Sequence, residues 1–187
     1  MPFSCQKTKI PGLMVLQMHQ AKDFRGVYQK AYEIDQYAAF DLLPQFSEFS
    51  DIYSHKGVLR GMHYQTEQSQ AKLVHGIRGR LFDVAIDLRE DSPTFGQYHA
   101  ELLVGGDGKA IFIPEDFAHG FLALDEDTIF SYQCTGRYVP HACGGIQWND
   151  PDLAIPWPLD QVEKVIVSEK DAAQESFKDF CRRIGRK

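Results

Sequence analysis

Apolar and polar positions alternate in short runs along most of this chain, the period-two pattern of strands. The clearest run is 81–88, where Phe82, Val84, Ile86 and Leu88 fall on one face and Asp83 and Asp87 on the other. Residues 98–104 and 110–113 form two more runs, separated by Gly105-Gly106-Asp107-Gly108. In 128–134, Phe130, Tyr132 and Cys134 share one side, Ser131 and Gln133 the other, which points the Tyr132 phenol inward. Ile10-Pro11-Gly12 reads as a turn feeding a strand over 13–16. Asp23-Phe24-Arg25-Gly26 is a second turn that holds an arginine.

Helical signals are few. Residues 33–40 suit a short helix that Leu42-Leu43-Pro44 ends. Near the end, Phe177, Phe180, Cys181 and Ile184 recur at helical spacing. Ser168-Glu169-Lys170-Asp171 reads as the start of that helix, with Ser168 as cap and Asp171 as the returning carboxylate. Many short strands with Gly and Pro turns predict a closed or sandwiched antiparallel β fold. The absence of repeats and linkers predicts one domain over 1–187.

Composition narrows the function. With 43% apolar and 12% aromatic residues, the 187-residue chain can bury a core. A net charge of −6 argues against nucleic acid as a partner, and an anionic small substrate would need local Arg and Lys to overcome it. No apolar run reaches membrane-spanning length and no leader pattern opens the chain, so a cytoplasmic protein is expected. Cys5, Cys134, Cys143 and Cys181 lack metal-ligand spacing and read as free thiols.

The stretch Lys56-Gly57-Val58-Leu59-Arg60-Gly61-Met62-His63-Tyr64-Gln65 holds the densest candidate chemistry. Arg60 offers a planar donor fork for phosphate or carboxylate, and His63 a proton carrier near neutral pH. Strict alternation would put them on opposite faces, unless Gly61 hosts a bulge. Lys72, set among apolar residues, His119 and Tyr132 add a cation, a second imidazole and a phenol. Together they suit proton abstraction beside a carbonyl and proton delivery elsewhere. Each has a plainer reading: a hydrogen-bonded core histidine, a snorkelling lysine, a packed tyrosine, an arginine stabilising its turn. His19, His55, His75, His99 and His141 read as structural or surface residues.

The ordered motifs now add up. They include Asp23-Phe24-Arg25-Gly26, the 56–65 stretch, Gln70-Ala71-Lys72-Leu73-Val74, Asp91-Ser92-Pro93-Thr94-Phe95-Gly96, Ile113-Pro114-Glu115-Asp116-Phe117-Ala118-His119-Gly120-Phe121 and Trp148-Asn149-Asp150-Pro151-Asp152. Running nearly the whole chain, they resemble the dTDP-4-dehydrorhamnose 3,5-epimerase family. The resemblance implies a mainly β, cupin-type double-stranded β-helix, or jelly roll, with a few short helices including a C-terminal one. It also implies a cofactor-free isomerase, with no metal, of deoxysugar and polysaccharide biosynthesis. The substrate would be a nucleotide-diphosphate 4-keto-6-deoxyhexose. By resemblance His63 is the base, Asp171 its carboxylate partner, Lys72 the enolate stabiliser and Tyr132 the acid on the opposite face. His119 is a substrate or network contact, Arg25 and Arg60 grip the diphosphate, and Tyr138 is a nucleotide-side aromatic. A homodimer exchanging N-terminal strands is also implied, with the 13–16 strand as the exchanged element.

Three nucleotide-side positions, 30, 48 and 50, depart from the family. Lys30 stands where it usually has Glu, and Glu48-Phe49-Ser50 where it commonly has Gln-Asp-Asn. These positions contact the nucleotide end in the family, so altered contacts, or a CDP- or GDP-linked sugar, are expected alternatives. Inversion of one centre only is another. A metal-dependent cupin would need about three clustered ligands. His63, His75 and His119 would have to converge without any His-x-His pair. A non-catalytic cupin would be expected to lose one of His63, Lys72, Tyr132 and Asp171, yet all are present.

Overall fold

The computed structural model describes residues 3–42 and 44–186; Leu43, part of the helix-ending signal, lies outside them. The chain begins with β1 (Ser4–Lys7) and β2 (Met14–Gln17), a hairpin of β3 (His19–Asp23) and β4 (Gly26–Lys30), and helix α1 (Ile34–Ala38). Then come β5 (Phe46–Ser54), β6 (Leu59–Gln65), β7 (Lys72–Arg78) and β8 (Arg80–Asp87). β9 (Tyr98–Val104), β10 (Lys109–Ile113), β11 (Phe117–Ala123), β12 (Thr128–Thr135) and β13 (Cys143–Gly145) follow, and α2 (Glu169–Ala172) and α3 (Phe177–Arg183) close the order. Two antiparallel sheets result, ordered β1-β2-β10-β7-β12-β5 and β13-β6-β11-β8-β9. They make the jelly roll that the resemblance implied.

Three apolar layers explain the pattern. Val74, Ile111 and Phe130 from the six-stranded sheet meet Leu81, Ala85, Leu103 and Phe121 from the five-stranded one, with Phe121 and Phe130 rings edge-to-face at 4.4 Å. Each Val, Leu, Ile or Phe side chain among them contributes roughly 1.5–3 kcal/mol by leaving water. Trp157 and Phe180 cover Val84, Ile86 and Leu88 on the outside of the five-stranded sheet. Tyr37 and Leu42 cover Leu16, Leu73 and Phe112 on the outside of the other.

β8 is therefore buried on both faces, and its carboxylates point inward rather than to water. Asp87 is clamped by Arg89 at 2.7 Å, Ser92 at 2.6 Å and Thr94 at 2.6 Å. Burial alone would raise its pKa, but these donors win and hold it at about 2.

Two expectations need correction. The C-terminal helix does not begin at Ser168. Ser168 caps the single turn α2, and Ser176 caps α3 separately by accepting from Asp179 N at 3.1 Å. Glu175, between them, forms a parallel bridge with Ile146, and this pins the chain extended there. The 13–16 strand is not a free element either: β2 is paired on both sides within its own sheet, by β1 and β10. The element standing apart is the β3–β4 hairpin, a two-stranded sheet of its own with Phe24, Val27 and Tyr28 exposed.

Candidate active site

Gly61 decides where the cavity lies. Its φ is +122°, and a Cβ there would meet Gly120 Cα at 2.5 Å and His119 O at 2.8 Å. Only glycine permits this approach of β6 to β11. The register between the two strands shifts at the same place, between His119 and Phe121. The expected bulge is thus present, and it breaks the alternation so that Arg60 and His63 line one cavity. Ile52, Lys72, His119, Gly120, Phe121 and Tyr132 complete the lining. The cavity holds about 260 Å³, below the ~300–1,000 Å³ usual for a whole ligand, so it suits a sugar ring with the remainder outside. A larger hollow of about 710 Å³ near Asp41, Pro44 and Phe112 gathers no histidine, lysine or tyrosine.

His63 reaches across to the far end of the sequence. Its Nε2 lies 2.6 Å from Asp171 Oδ1, and Asp171 Oδ2 accepts the Gly61 N–H at 3.1 Å. The Ser168 hydroxyl accepts Asp171 N–H at 3.1 Å and so sets the turn that aims the carboxylate. Of the two tasks expected of Asp171, the return to its own cap is not made: both its oxygens bond to β6. An ionised Asp171 makes Nε2 the donor and leaves the Nδ1 lone pair to collect a proton. Burial lowers the His63 pKa, and the Asp171 bond offsets that only in part, so the ring is neutral at pH 7.

Lys72 and Tyr132 come from the opposite sheet. The side-chain ammonium of Lys72, on β7, makes no ion pair or hydrogen bond among the described residues, and burial pushes its pKa down. Tyr132, on the adjacent β12, has its pKa raised by burial, so the phenol keeps its proton at neutral pH. A planar enolate between the sheets would meet a base from one and an acid from the other. Its oxygen would have an unpaired ammonium at hand.

His119 faces His63 in register and binds Asp83 Oδ2 through Nε2 at 2.8 Å. Asp83 was not assigned a role from the sequence; the signal was its place, with Asp87, among the apolar residues of β8. Arg60 is exposed and makes no ion pair among the described residues, leaving its fork open at the cavity. Ile52 and Phe121 form apolar walls.

Other expected site residues stand apart. Arg25 pairs with Asp23 at 2.6 Å on the exposed hairpin, and Lys30 with Glu33 at 3.0 Å. Tyr138 is mostly exposed, and its pKa is raised first by a hydrogen bond with Cys143. Glu48 and Ser50 lie on β5 beside Cys134 and Tyr132. His75 sits on the outward side of β7, opposite Ala110 and Ser131, so the three histidines do not converge.

The family model of dTDP-4-dehydrorhamnose 3,5-epimerase matches residues 7–179. The chain belongs to this family. The epimerase of Methanothermobacter thermautotrophicus is 42% identical over 169 residues, covering 90% of this chain and 91% of that one. A crystal structure of the Legionella pneumophila epimerase in complex with dTDP-4-keto-L-rhamnose aligns at a TM-score of 0.90 with 38% identity. That alignment covers 95% of this chain and 94% of the Legionella chain. A 3′-monoepimerase from Streptomyces bikiniensis, solved with dTDP-quinovose, aligns at 0.85 with 28% identity, covering 95% and 89%. The family's epimerases and a monoepimerase thus share this fold.

Proposed function

We propose that this protein epimerises a nucleotide-diphosphate 4-keto-6-deoxyhexose, of the dTDP-4-dehydro-6-deoxyglucose type, at C3 and C5. The observation that carries the reading is the pair of walls: His63 backed by Asp171 on one sheet, Tyr132 on the other, Lys72 beside it. The C4 ketone acidifies the neighbouring C–H bonds, because the carbanion left is an enolate. His63 removes the proton and Asp171 stabilises the imidazolium formed. Lys72 holds the enolate oxygen, and Tyr132 protonates the opposite face, which inverts the centre.

Arg60 at the cavity mouth suits the diphosphate. The hairpin bearing Arg25 and Lys30 does not line its own cavity, and its exposed Phe24 and Tyr28 favour insertion into a second copy. A homodimer would then complete each diphosphate site with a partner's Arg25, and Tyr138 would flank the nucleotide. The setting would be cytoplasmic.

Incubation with dTDP-4-dehydro-6-deoxyglucose, read by NMR, should give the 4-dehydro-L-rhamnose product; unchanged substrate would overturn the reading. Lys30, Glu48 and Ser50, at positions expected to touch the nucleotide, support altered contacts there. Turnover with thymidine-, cytidine-, guanosine- and uridine-linked 4-keto sugars tests this. A clear thymidine preference would reject a changed nucleotide. Inversion at one carbon alone would place the chain with the monoepimerase.

A further inference from the structure

Asp171 reaches His63 from a helical turn of four residues, too short to hold its own place. The chain around it is strung between two backbone anchors. Before the turn, Ile166 bridges Val58, donating its N–H to Gly57 O at 2.8 Å and accepting the Leu59 N–H at 2.9 Å. After it, Glu175 bridges Ile146, and its carbonyl accepts the Gln147 N–H at 2.9 Å. Ile146 is paired in turn with Met62 of β6 through two backbone bonds. The Gln174 side chain occupies the place a Cβ on Gly145 would take, and Gly145 lies opposite His63 in register.

The second anchor carries a side-chain cluster that has no part in the proton transfer itself. Tyr64 follows His63 on β6 but packs on the outside of the five-stranded sheet, where it is 9% exposed. Its hydroxyl donates to Glu175 Oε1 at 2.9 Å and accepts from Arg183 of α3, which also donates to Glu175 Oε1 at 2.7 Å. Groups from β6, from the chain after α2 and from α3 thus close one triangle. The Arg183 guanidinium also lies over the Phe180 ring at 5.2 Å, and that ring meets Tyr64 edge-to-face at 5.4 Å. Asp150 Oδ2 accepts the Phe177 N–H at 2.8 Å and fixes where α3 starts. An ion pair with a half-exposed arginine contributes little stability by itself. Here the buried phenol ties the pair to one position, so its effect is geometric.

We propose that Tyr64, Glu175 and Arg183 form a latch that holds the Asp171 turn against β6 and so sets the His63–Asp171 hydrogen bond. None of the three lines the cavity, so they are positioning residues that act through Asp171. Tyr64 and His63 are adjacent on one strand, and Glu175 follows Asp171 by a single turn. Fixing Tyr64 to Glu175 therefore fixes His63 to Asp171. With the latch open, only the Ile166 anchor and the Ile146 bridge restrain the turn, and the 2.6 Å contact lengthens. A misplacement of about 1 Å can cost up to ~10²-fold in rate. The C-terminal helix α3, remote from the sugar, thereby becomes part of what makes the base competent. The inference rests on the reading of His63 as the base and Asp171 as its carboxylate.

The test places Tyr64→Phe, Glu175→Ala and Glu175→Gln in the wild type and in Asp171→Asn, with kcat, KM and the pH profile measured on dTDP-4-dehydro-6-deoxyglucose. In the wild-type background Tyr64→Phe and Glu175→Ala should lower kcat about ten-fold with KM largely unchanged. Glu175→Gln, which keeps an acceptor for the phenol, should recover most of the rate. The acid limb should move to lower pH in the first two, because a looser Asp171 raises the His63 pKa less. The other charged or titratable groups around that ring, Lys72, Lys170, His119, Arg60 and Tyr132, are untouched by the substitutions. In the Asp171→Asn background the same substitutions should cost less than about two-fold, since the contact they protect is already gone. Equal losses in both backgrounds with an unmoved limb would make the cluster structural and overturn the latch, as would wild-type rates in both single variants. Melting curves identify a variant that fails to fold, and Tyr64→Phe, which keeps the packed ring, carries the test should Glu175→Ala do so. Asp171→Asn with wild-type kcat would instead overturn the reading of the base beneath the latch.

Discussion

Two histidine–aspartate pairs face each other across β6 and β11, and they differ in what surrounds them. His63 keeps 43% of its side chain exposed while Asp171 keeps 5%, so the carboxylate is fixed and the imidazole still opens on the cavity. In the other pair His119 keeps 8% and Asp83 none. Asp83 comes from the neighbouring strand β8, whereas Asp171 comes from a capped turn more than a hundred residues beyond His63. The first pair can therefore collect a proton from a guest. The second is packed into the wall, with Asp83 Oδ1 unpaired beneath it, and fixes the shape and polarity of the site. The same two residue types thus do different work according to burial.

That contrast can be broken by mutation. His63→Ala should lower kcat by roughly 10³-fold with an unchanged fold, the upper part of the range for losing a positioned base. Circular dichroism beside steady-state rates checks both halves. Asp171→Asn should cost about 10²-fold and shift the pH profile. Activity requires neutral His63, so it falls as pH drops through a pKa that burial already sets below 6.5. Asp171 raises that pKa in the wild type; without it the acid limb should move lower still, as kcat/KM measured from pH 4 to 8 would show. His119→Gln should cost only about ten-fold in kcat and leave the acid limb in place. A displaced limb would make His119 a titrating participant. Asp83→Asn, which leaves His119 a neutral partner, should have the smallest effect on rate, and thermal melting should register it more clearly.

The strands were largely legible because alternation marks them. Gly61 was legible as the bulge, since only a broken alternation could bring Arg60 and His63 to one side. Alternation could not tell interior from solvent, however. Asp83 and Asp87 read as an ordinary polar face, yet β8 lies between two apolar layers and both carboxylates are buried. The division of the C-terminal helix is written in a second Ser-x-x-Asp, at Ser176 and Asp179, that follows the first at Ser168 and Asp171. Asp171's contact with His63 needed the fold or the family resemblance, because no local spacing links positions 108 residues apart. Arg25 and Lys30 stand on a hairpin away from the cavity, which their local motifs did not reveal.

The central claim is that His63 takes the proton that the opposite wall replaces. Its most direct measurement is deuterium incorporation at C3 and C5 of a dTDP-linked 4-keto-6-deoxyhexose in deuterium oxide, read by NMR for wild type and His63→Asn. Label at both carbons with wild type, and none above the uncatalysed background with His63→Asn, is the predicted result. Wild-type rates of labelling in the His63→Asn variant would contradict the account.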